Sequence, residues 1–550
     1  MLNKIIRGSC VSAALWAASL GAAAAAADDT RSMEELRDTV VNLLEALVQK
    51  GVITREQAQA MVADAQAKAA AAAEASAKAR TEQEATDKNA VRVPYVPQIV
   101  KDEISKQVAE EVKPQVVQSV MDEARAERWG IPGALPDWLA RVRVLGDVRL
   151  RYQNDRFPSG NVAEYYYDFN SINAAGGISK AGQNEFLNTT EKQNRMRVRA
   201  RLGVEAQLGD EFTAGVRLAT GNIQDPSSES QTLGNNGGHY TVGFDEFFIR
   251  WMLKTDDGLP WASTIGGKFV NPFFSPTELV YARDFTFEGL SSTLRWGLGD
   301  DDGPDQSQLF VTIGAYPLQV VPLATQDNKY LVAGQIGAVL RWGDSDQSLR
   351  IAGAYYDFLH VEGLANPSDL TFYNFSAPTF IRYGNSVFQI SNSTTDPTIN
   401  VFGLATRFRL VDAALRYDLP IGRYSFGLAA EGVRNVGYNE REILARTGGT
   451  LAKRVNGEVG ELSFGYPTVT ERWHWRTQVG YRYVQSDAVI DSITDADFHG
   501  GGSNARGWYL FASLGLAPST WLQFKYYSSD VIDGPQFSLD TIQLDLNAQF

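Results

Sequence analysis

The sequence predicts an all-β transmembrane barrel of about 16 antiparallel strands, preceded by an α-helical region. Three observations predict this fold. From Trp138 onward, the spacing of apolar residues changes from a helical period to the period of two found in strands. Short turns alternate with long connecting segments, and rows of arginine occupy the polar faces of neighbouring strands.

The first 27 residues have the order of a secretory signal peptide. Lys4 and Arg7 precede the apolar stretch "CVSAALWAASLGAAAAAA", which ends in small residues before Asp28. We expect cleavage after Ala27. Because the one cysteine, Cys10, lies inside this segment, the exported protein is not expected to be a disulfide-stapled scaffold.

Composition narrows the class of protein but does not decide it. A net charge of −14 with 21% charged residues argues against a bundle of membrane helices, each of which needs roughly 20 successive apolar residues. A soluble periplasmic protein stays open as an alternative at this point.

Residues 28–130 show helical periodicity and form the predicted periplasmic region. Two short helices flank Gly51, and an alanine-rich, charged segment follows them. Ile104, Val108 and Val112 form a narrow apolar stripe of the width that pairs with another helix. The region is interpreted either as an oligomerising stalk, with coiled-coil pairing, or as a solvated spacer. Contact with the cell wall is a further expectation for it.

Residues 131–550 form the predicted barrel. In "ARVRVLGDVRLRYQ", apolar residues such as Val148 and Leu150 alternate with charged residues such as Arg149. The segment "DTIQLDLNAQF" alternates in the same way up to Phe550. Sixteen segments of this kind predict strands at 140–153, 194–208, 211–221, 242–254, 261–271, 283–299, 307–319, 329–343, 347–360, 399–418, 421–436, 455–466, 471–486, 505–517, 519–531 and 536–550. The pattern is weakest at 455–466.

The connections between these segments also alternate in length. "GDE", "TDDGLP", "DDGPDQ", "GDSD", "PIG" and "APST" suit tight hairpins, because they are rich in Gly, Asp and Pro. Long segments stand between them, such as 154–193, 222–241, 361–398 and 437–454. Short turns on one rim and long loops on the other are typical of an outer-membrane barrel.

The composition of the two faces favours lipid outside and water inside. Trp, Tyr and Phe lie towards the ends of the apolar faces, as at a membrane interface, whereas a soluble sandwich shows mixed polar residues on its outer face. In hydrocarbon every backbone N–H and C=O must be paired, so a sheet can cross only when its last strand pairs with its first. We therefore expect a closed barrel with an aqueous lumen.

Four segments carry a resemblance to a known family. They are "MEELRDTVVNLLEALVQKGVITREQAQAMV", "VRVPYVPQIVKDEI", "LGDVRLRYQ" and "DGPQFSLDTIQLDLNAQF". The chain resembles the putative-porin family of Gram-negative outer membranes, in which a helical region precedes a porin barrel. The resemblance implies passive diffusion of small hydrophilic solutes, a homotrimer, and a position in outer-membrane lipid. It also implies that Phe550 is the signal read by the barrel assembly machinery.

The resemblance further implies that the third long loop, residues 271–289, folds inward as a constriction. Glu278, Asp284 and Glu288 are its expected acidic residues. They would face a wall of arginines and complete a transverse field with mild anion preference. The candidate channel-lining residues are Arg141, Arg143, Arg149, Arg151, Arg195, Arg197, Arg199, Arg201, Arg472, Arg476 and Arg482. The alternative is that these arginines pair with acidic neighbours such as Asp147 and brace the wall.

Other functions have weaker support. The histidines His239, His360, His474 and His499 lack the spacing of metal ligands, so no metal or cofactor is expected. "HGGGS" at 499–503 has no accompanying G-x-S-x-G elbow, and no catalytic residue is proposed. The acidic balance argues against nucleic acid as a partner. Two alternatives to a general pore stay open: a channel specific for an anion such as phosphate, and a structural protein that tethers the envelope through residues 28–130.

Overall fold

The computed structural model describes residues 141–255, 258–298, 306–321, 326–342, 347–391 and 400–550. The predicted signal peptide, 1–27, and the predicted helical region, 28–130, lie outside the described residues. Within the described ranges, no helix combines the length and the apolar composition that crossing a membrane requires.

Sixteen long strands of the described chain form one antiparallel sheet. Three short strands accompany them: β4 (Gln231–Thr232), β11 (Val387–Gln389) and β12 (Phe402–Leu404). The long strands are β1 (Val142–Arg156), β2 (Gln193–Leu208), β3 (Phe212–Thr220), β5 (Val242–Lys254), β6 (Pro260–Val270), β7 (Thr286–Leu298), β8 (Ser307–Gln319), β9 (Lys329–Trp342), β10 (Gln347–Leu359), β13 (Phe408–Ile421), β14 (Tyr424–Asn435), β15 (Asn456–Gly465), β16 (Trp475–Val484), β17 (Ala505–Ala517), β18 (Thr520–Val531) and β19 (Ser538–Gln549).

The sheet closes on itself. Each long strand pairs with the next, and β19 pairs with β1 in a register that runs from Asp147 opposite Gln549 to Arg156 opposite Asp540. No long strand is thereby left with an unpaired edge, which is the condition for crossing hydrocarbon. The predicted closed barrel of 16 strands is confirmed, including the weakest predicted strand, which is β15.

One predicted strand is displaced. The sequence predicts a strand over 399–418, but the wall strand β13 begins at Phe408. The preceding residues Phe402–Leu404 form β12 and pair with β11 away from the wall. A short ribbon and a wall strand have the same alternation, so the sequence pattern does not separate them.

The two faces of the wall differ as predicted. On β19, Leu544 and Leu546 are 42% and 40% exposed, whereas the alternating residues Gln543 and Asp545 are fully buried. The outer face repeats this pattern around the barrel with exposed apolar side chains that include Val148, Leu150, Met196, Leu202, Val216, Ile249, Leu290, Ile313, Ile336, Val411, Leu462, Val479 and Leu510. A continuous apolar belt of this kind is what a lipid environment stabilises.

The rims differ in the length of their connections. Between successive wall strands the short-turn rim has connections such as 209–211, 422–423 and 518–519. The long-loop rim carries eight segments, which we number L1 (157–192), L2 (221–241), L3 (271–285), L4 (320–328), L5 (360–407), L6 (436–455), L7 (485–504) and L8 (532–537). L1 contains helices α1 (Phe169–Ala175) and α2 (Ile178–Ala181), and L6 contains α3 (Glu440–Thr447).

The interior at the long-loop end is packed. L3, L5 and L7 contribute buried residues such as Leu279, Ile381 and Val489, which join inward-facing rings such as Phe287 and Tyr356 in one apolar cluster. This differs from the open aqueous lumen expected from strand number alone, because these loops are long enough to fold inside. Cavities of about 310, 510 and 630 Å³ surround the packed loops.

Phe550 is held at the short-turn end of the seam between β1 and β19. Its backbone N–H and C=O each form a hydrogen bond of 2.9 Å with Gly146. Its ring occupies the space that a larger residue at Gly146 would need, since a Cβ there would lie 2.3 Å from the ring's Cζ. The absence of a side chain at Gly146 therefore admits the ring against β1.

Candidate functional site

The loop L3 crosses the interior from one wall to the other. Near its end, Asp284 accepts a hydrogen bond from Arg199 of β2 at 3.0 Å. In its middle, the carbonyl of Glu278 accepts one from Arg482 of β16 at 2.9 Å. Because β16 lies eight wall strands from β6, the strand that precedes L3, these contacts span the barrel.

The sequence of L3 explains why it folds inward. Phe273 packs its ring within 5.3 to 6.2 Å of the inward-facing rings of Phe287, Tyr316 and Tyr356. Leu279 is completely buried. Burying such side chains contributes roughly 1.5–3 kcal/mol each, which favours the inward position over an extended loop in solvent.

Polar contacts fix the tip of L3 on the far wall. Thr277 donates from its N–H and its hydroxyl to the Glu431 carboxylate of β14, at 3.2 and 2.6 Å. The N–H of Ala282 donates to the carbonyl of Ile493 in L7 at 2.7 Å. L3 is therefore held by the wall and by a second loop.

Of the three acidic residues expected in the constriction, two lie in L3 and one does not. Glu278 and Asp284 belong to the crossing segment, and Glu278 pairs with Arg283 of the same loop at 3.2 Å. Glu288 lies on β7 and pairs with Lys268 of β6 at 2.7 Å. Asp284 binds Arg199 of the arginine wall directly, whereas the sequence predicts it on the opposite side of the lumen.

The arginines of β1 and β2 meet acidic partners. Arg199 contacts Asp147 at 2.9 Å as well as Asp284, and Arg201 contacts the same Asp147 at 2.5 Å. Arg195 pairs with Asp155. Much of the positive charge of this wall is therefore compensated, which favours the bracing alternative for these residues.

Two further arginines of the same wall reach L2, as Arg201 does through Glu229 at 3.4 Å. Arg149 donates to the Ser230 hydroxyl at 2.5 Å, and Arg197 donates to the Ser230 carbonyl at 3.3 Å. Arg141 and Arg143 lie apart from this group, exposed at the short-turn end of β1. The arginines of the two rows therefore do not share one environment.

Three further candidates differ from the exposed lining position we expected. Arg151 is 1% exposed and binds both Asp545 of β19 and Asp497 of L7. Arg482 is 2% exposed and binds L3 and L7. Arg472 lies outside the strands, with its guanidinium 5.1 Å from the ring of Trp473. The first two hold loops to the wall, and the third lies at the short-turn rim.

Sequence reasoning missed a second group of arginines on the short-turn side of L3. Arg250 and Arg295 line the cavity of about 510 Å³. Arg350 and Arg416 line the cavity of about 630 Å³ together with the predicted Arg476 and with Arg283 of L3. The sequence could have indicated these arginines, because those on strands occupy the inward-facing positions of the alternating pattern.

Burial and charge give the two acidic residues of L3 different titration behaviour. Burial raises the pKa of Glu278 to about 7, although Arg283 opposes the shift. Burial acts in the same direction on Asp284, but Arg199, Arg149 and Arg201 together hold the pKa of that carboxyl below its usual range. L3 therefore carries one permanent negative charge and one that titrates near neutral pH.

The chain is similar to several solved structures, two of which are described as an outer membrane protein and an outer membrane channel. The barrel is similar to OprB from Pseudomonas putida, with 12% identity, a TM-score of 0.41, and coverage of 77% of this chain and 97% of that chain. It is similar to a loop-L8 deletion variant of OmpT from Vibrio cholerae, with 10% identity, a TM-score of 0.38, and coverage of 74% and 100%. It is also similar to the outer membrane channel DcaP of Acinetobacter baumannii, with 10% identity, a TM-score of 0.37, and coverage of 74% and 97%.

The family comparison covers most of the chain. No curated protein sequence matches it. A family model described as putative porin matches residues 37–550, which include the whole closed barrel. The chain therefore belongs to the putative porin family.

Proposed function

We propose that the protein is a water-filled channel for passive diffusion of small hydrophilic solutes and that it favours anions over cations. The exposed apolar belt supports lipid as the partner of the outer face, and the position of L3 across the interior supports its role as the constriction. The long-loop rim then faces the outside of the cell and the short-turn rim faces the periplasm.

The observation that carries the anion preference is the excess of arginine on the short-turn side of L3. Among the described residues, six arginines and a single carboxylate, that of Glu461, line the two cavities there. Arginine keeps its charge at any relevant pH. A pore region with excess positive charge attracts anions and repels cations.

Reversal potentials in planar bilayers under a KCl gradient test this proposal. We expect the wild-type channel to favour chloride. Replacing both Arg250 and Arg295 with Gln should shift the reversal potential towards zero, because two positive charges leave the lining of one cavity. Arg434→Gln is the matched control, since Arg434 lies exposed on the outer-face side of β14.

Two results would contradict the proposal. One is a wild-type reversal potential that favours potassium. The other is a double variant whose reversal potential equals that of the wild type and of Arg434→Gln, because the cavity arginines would then not act on the permeating ion.

A further inference from the structure

The cavity of about 630 Å³ lies directly on the short-turn side of L3. L3 contributes Phe274 and Arg283 to its lining, and the wall contributes Arg350 of β10, Arg416 of β13 and Arg476 of β16. Its volume falls within the range of roughly 300–1,000 Å³ that small-molecule sites occupy.

Two of its arginines face each other across neighbouring strands. Arg350 and Arg416 are directly opposite in the register of β10 and β13. Like charges in this position destabilise a sheet. Asp418 compensates Arg416 with two hydrogen bonds of 2.7 and 2.9 Å. Arg350 instead lies with its guanidinium 5.1 Å from the centre of the Phe274 ring, a contact that leaves its charge uncompensated.

Arg476 presents a second uncompensated charge from the other side of the cavity. It donates to the Ser463 hydroxyl at 2.7 Å and to the Tyr466 carbonyl at 3.0 Å, both of which are neutral acceptors. Gly427 lets this side chain approach, because a Cβ at Gly427 would lie 3.3 Å from Arg476 Nη2 and 3.4 Å from Asp418 Oδ1. The guanidinium of Arg476 is therefore close to the Arg416–Asp418 pair.

The other charged groups of the lining already have partners. Arg283 pairs with Glu278 at 3.2 Å. Glu461 accepts a hydrogen bond of 2.5 Å from the hydroxyl of Tyr509, a neutral donor, and is the single carboxylate among the described residues of the lining. Arg350 and Arg476 are thus the two basic groups of this cavity to which the described residues give no ion-pair partner.

We propose that this cavity binds a small dianion during its passage, with the anionic oxygens divided between Arg350 and Arg476. The guanidinium group suits both carboxylate and phosphate oxygens, because its N–H groups form a planar fork. The inference rests on the proposed channel function and adds a substrate class to it. Solute flux would then saturate, as it does in a channel with a binding site and not in a plain pore.

Block of the chloride current in planar bilayers tests the site. Malonate, inorganic phosphate and acetate are each added to either side of the wild-type channel, with acetate as the monoanionic control. We expect saturable block by malonate or phosphate at concentrations where acetate has no effect. Block should be stronger from the short-turn side, which reaches the cavity without passing L3. A lower half-blocking concentration for malonate identifies a carboxylate site, and a lower one for phosphate identifies a phosphate site.

Variants connect the block to the two arginines. In Arg350→Gln/Arg476→Gln, the half-blocking concentration should rise at least roughly tenfold, which corresponds to about 1.4 kcal/mol. Arg409→Gln is the matched control, since Arg409 lies on β13 but pairs with Asp357 on the outer-face side. If the double variant does not insert, the single variants Arg350→Gln and Arg476→Gln are titrated separately, and each should weaken the block.

The outcomes separate this inference from the proposed function. Block by malonate and phosphate that is equal to block by acetate, or unchanged in the arginine variants, refutes the site while leaving chloride selectivity intact. A reversal potential that favours potassium refutes the proposed anion preference, yet a saturable block that the variants abolish would still support the site.

Discussion

Replacing Arg151 with Gln should strongly destabilise the closed barrel. Arg151 on β1 lies directly opposite Asp545 on β19, at the seam where the first and last wall strands meet. Its Nε and Nη2 donate to the two oxygens of Asp545 at 2.7 and 2.8 Å, and its Nη1 lies 2.9 Å from both oxygens of Asp497 in L7. One side chain therefore joins both seam strands and an interior loop.

The burial of both side chains sets the expected loss in the free energy of unfolding. Arg151 is 1% exposed and Asp545 is fully buried, so Gln at 151 would leave a buried carboxylate without its counter-charge. Removing one partner of such a pair costs about 3–5 kcal/mol. The exposed pair of Arg409 and Asp357, whose nearest atoms are 3.2 Å apart, should contribute no more than about 1 kcal/mol. Arg409→Gln is therefore the control.

Urea unfolding of the barrel in lipid vesicles, followed by tryptophan fluorescence, measures both free energies of unfolding. A double-mutant cycle with Asp545→Asn isolates the coupling between the two side chains, and the cycle should show that their losses are not additive. Equal stability of Arg151→Gln and Arg409→Gln, or strict additivity in the cycle, would refute the assignment of a stabilising seam contact.

Three further predictions concern the loops. In the wild type, anion preference should fall as pH rises from 6 to 8, because Glu278 ionises around pH 7, and in Glu278→Gln the reversal potential should depend less on pH over this range. Asp487 is buried in L7 and accepts from the N–H of Ser386 at 2.9 Å, and burial raises its pKa to about 6. Its protonation therefore stabilises the fold fully below about pH 4, and that stability, about 3 kcal/mol, is lost as pH rises through 6. In urea unfolding, Asp487→Asn should reduce the pH dependence of stability by about this amount. Thr277→Val removes the 2.6 Å hydrogen bond from L3 to Glu431 and should increase current fluctuations in single-channel recordings.

Each of these predictions has its own control. Glu288→Gln changes a carboxylate outside L3 and should leave the pH dependence of selectivity intact. Asp533→Asn changes a carboxylate that is half exposed and should leave the pH dependence of stability unaltered. Thr277→Ser keeps the hydroxyl and should restore a quiet current. A wild-type reversal potential that does not change from pH 6 to 8 would contradict the role of Glu278. The wild-type stability profile in Asp487→Asn would contradict the role of Asp487. A noisy current in Thr277→Ser would contradict the role of the Thr277 hydroxyl.

The wall could be predicted from sequence because the local pattern and the tertiary environment agree along each wall strand. Leu544 and Leu546 face outward and Gln543 and Asp545 face inward, as their alternation indicates. The prediction was wrong where a segment has the alternating pattern of a strand but does not join the wall, as at Phe402–Leu404. Alternation reports that one face of a strand is apolar but not which surface that face contacts.

The partners of the interior charges could not be predicted in the same way. Arg151 and Asp497 are 346 positions apart, and no local pattern links them. Arginine rows indicated an inward charged face, but whether each side chain lines solvent or braces a loop depends on where L2, L3 and L7 fold. Arg350, which has no acidic partner among the described residues, lies on β10, a strand outside the arginine rows of β1 and β2, whereas Arg476 was among the residues that the sequence predicts for the lining.

The seam contact also bears on how long the folded barrel survives. Arg151 and Asp545 are separated by 394 positions, so the contact between them carries a high cost of loop closure. We expect such a contact to form after the rate-limiting step of folding, so that its loss speeds unfolding and leaves the folding rate nearly unchanged. Arg151→Gln should therefore shorten the lifetime of the closed cylinder.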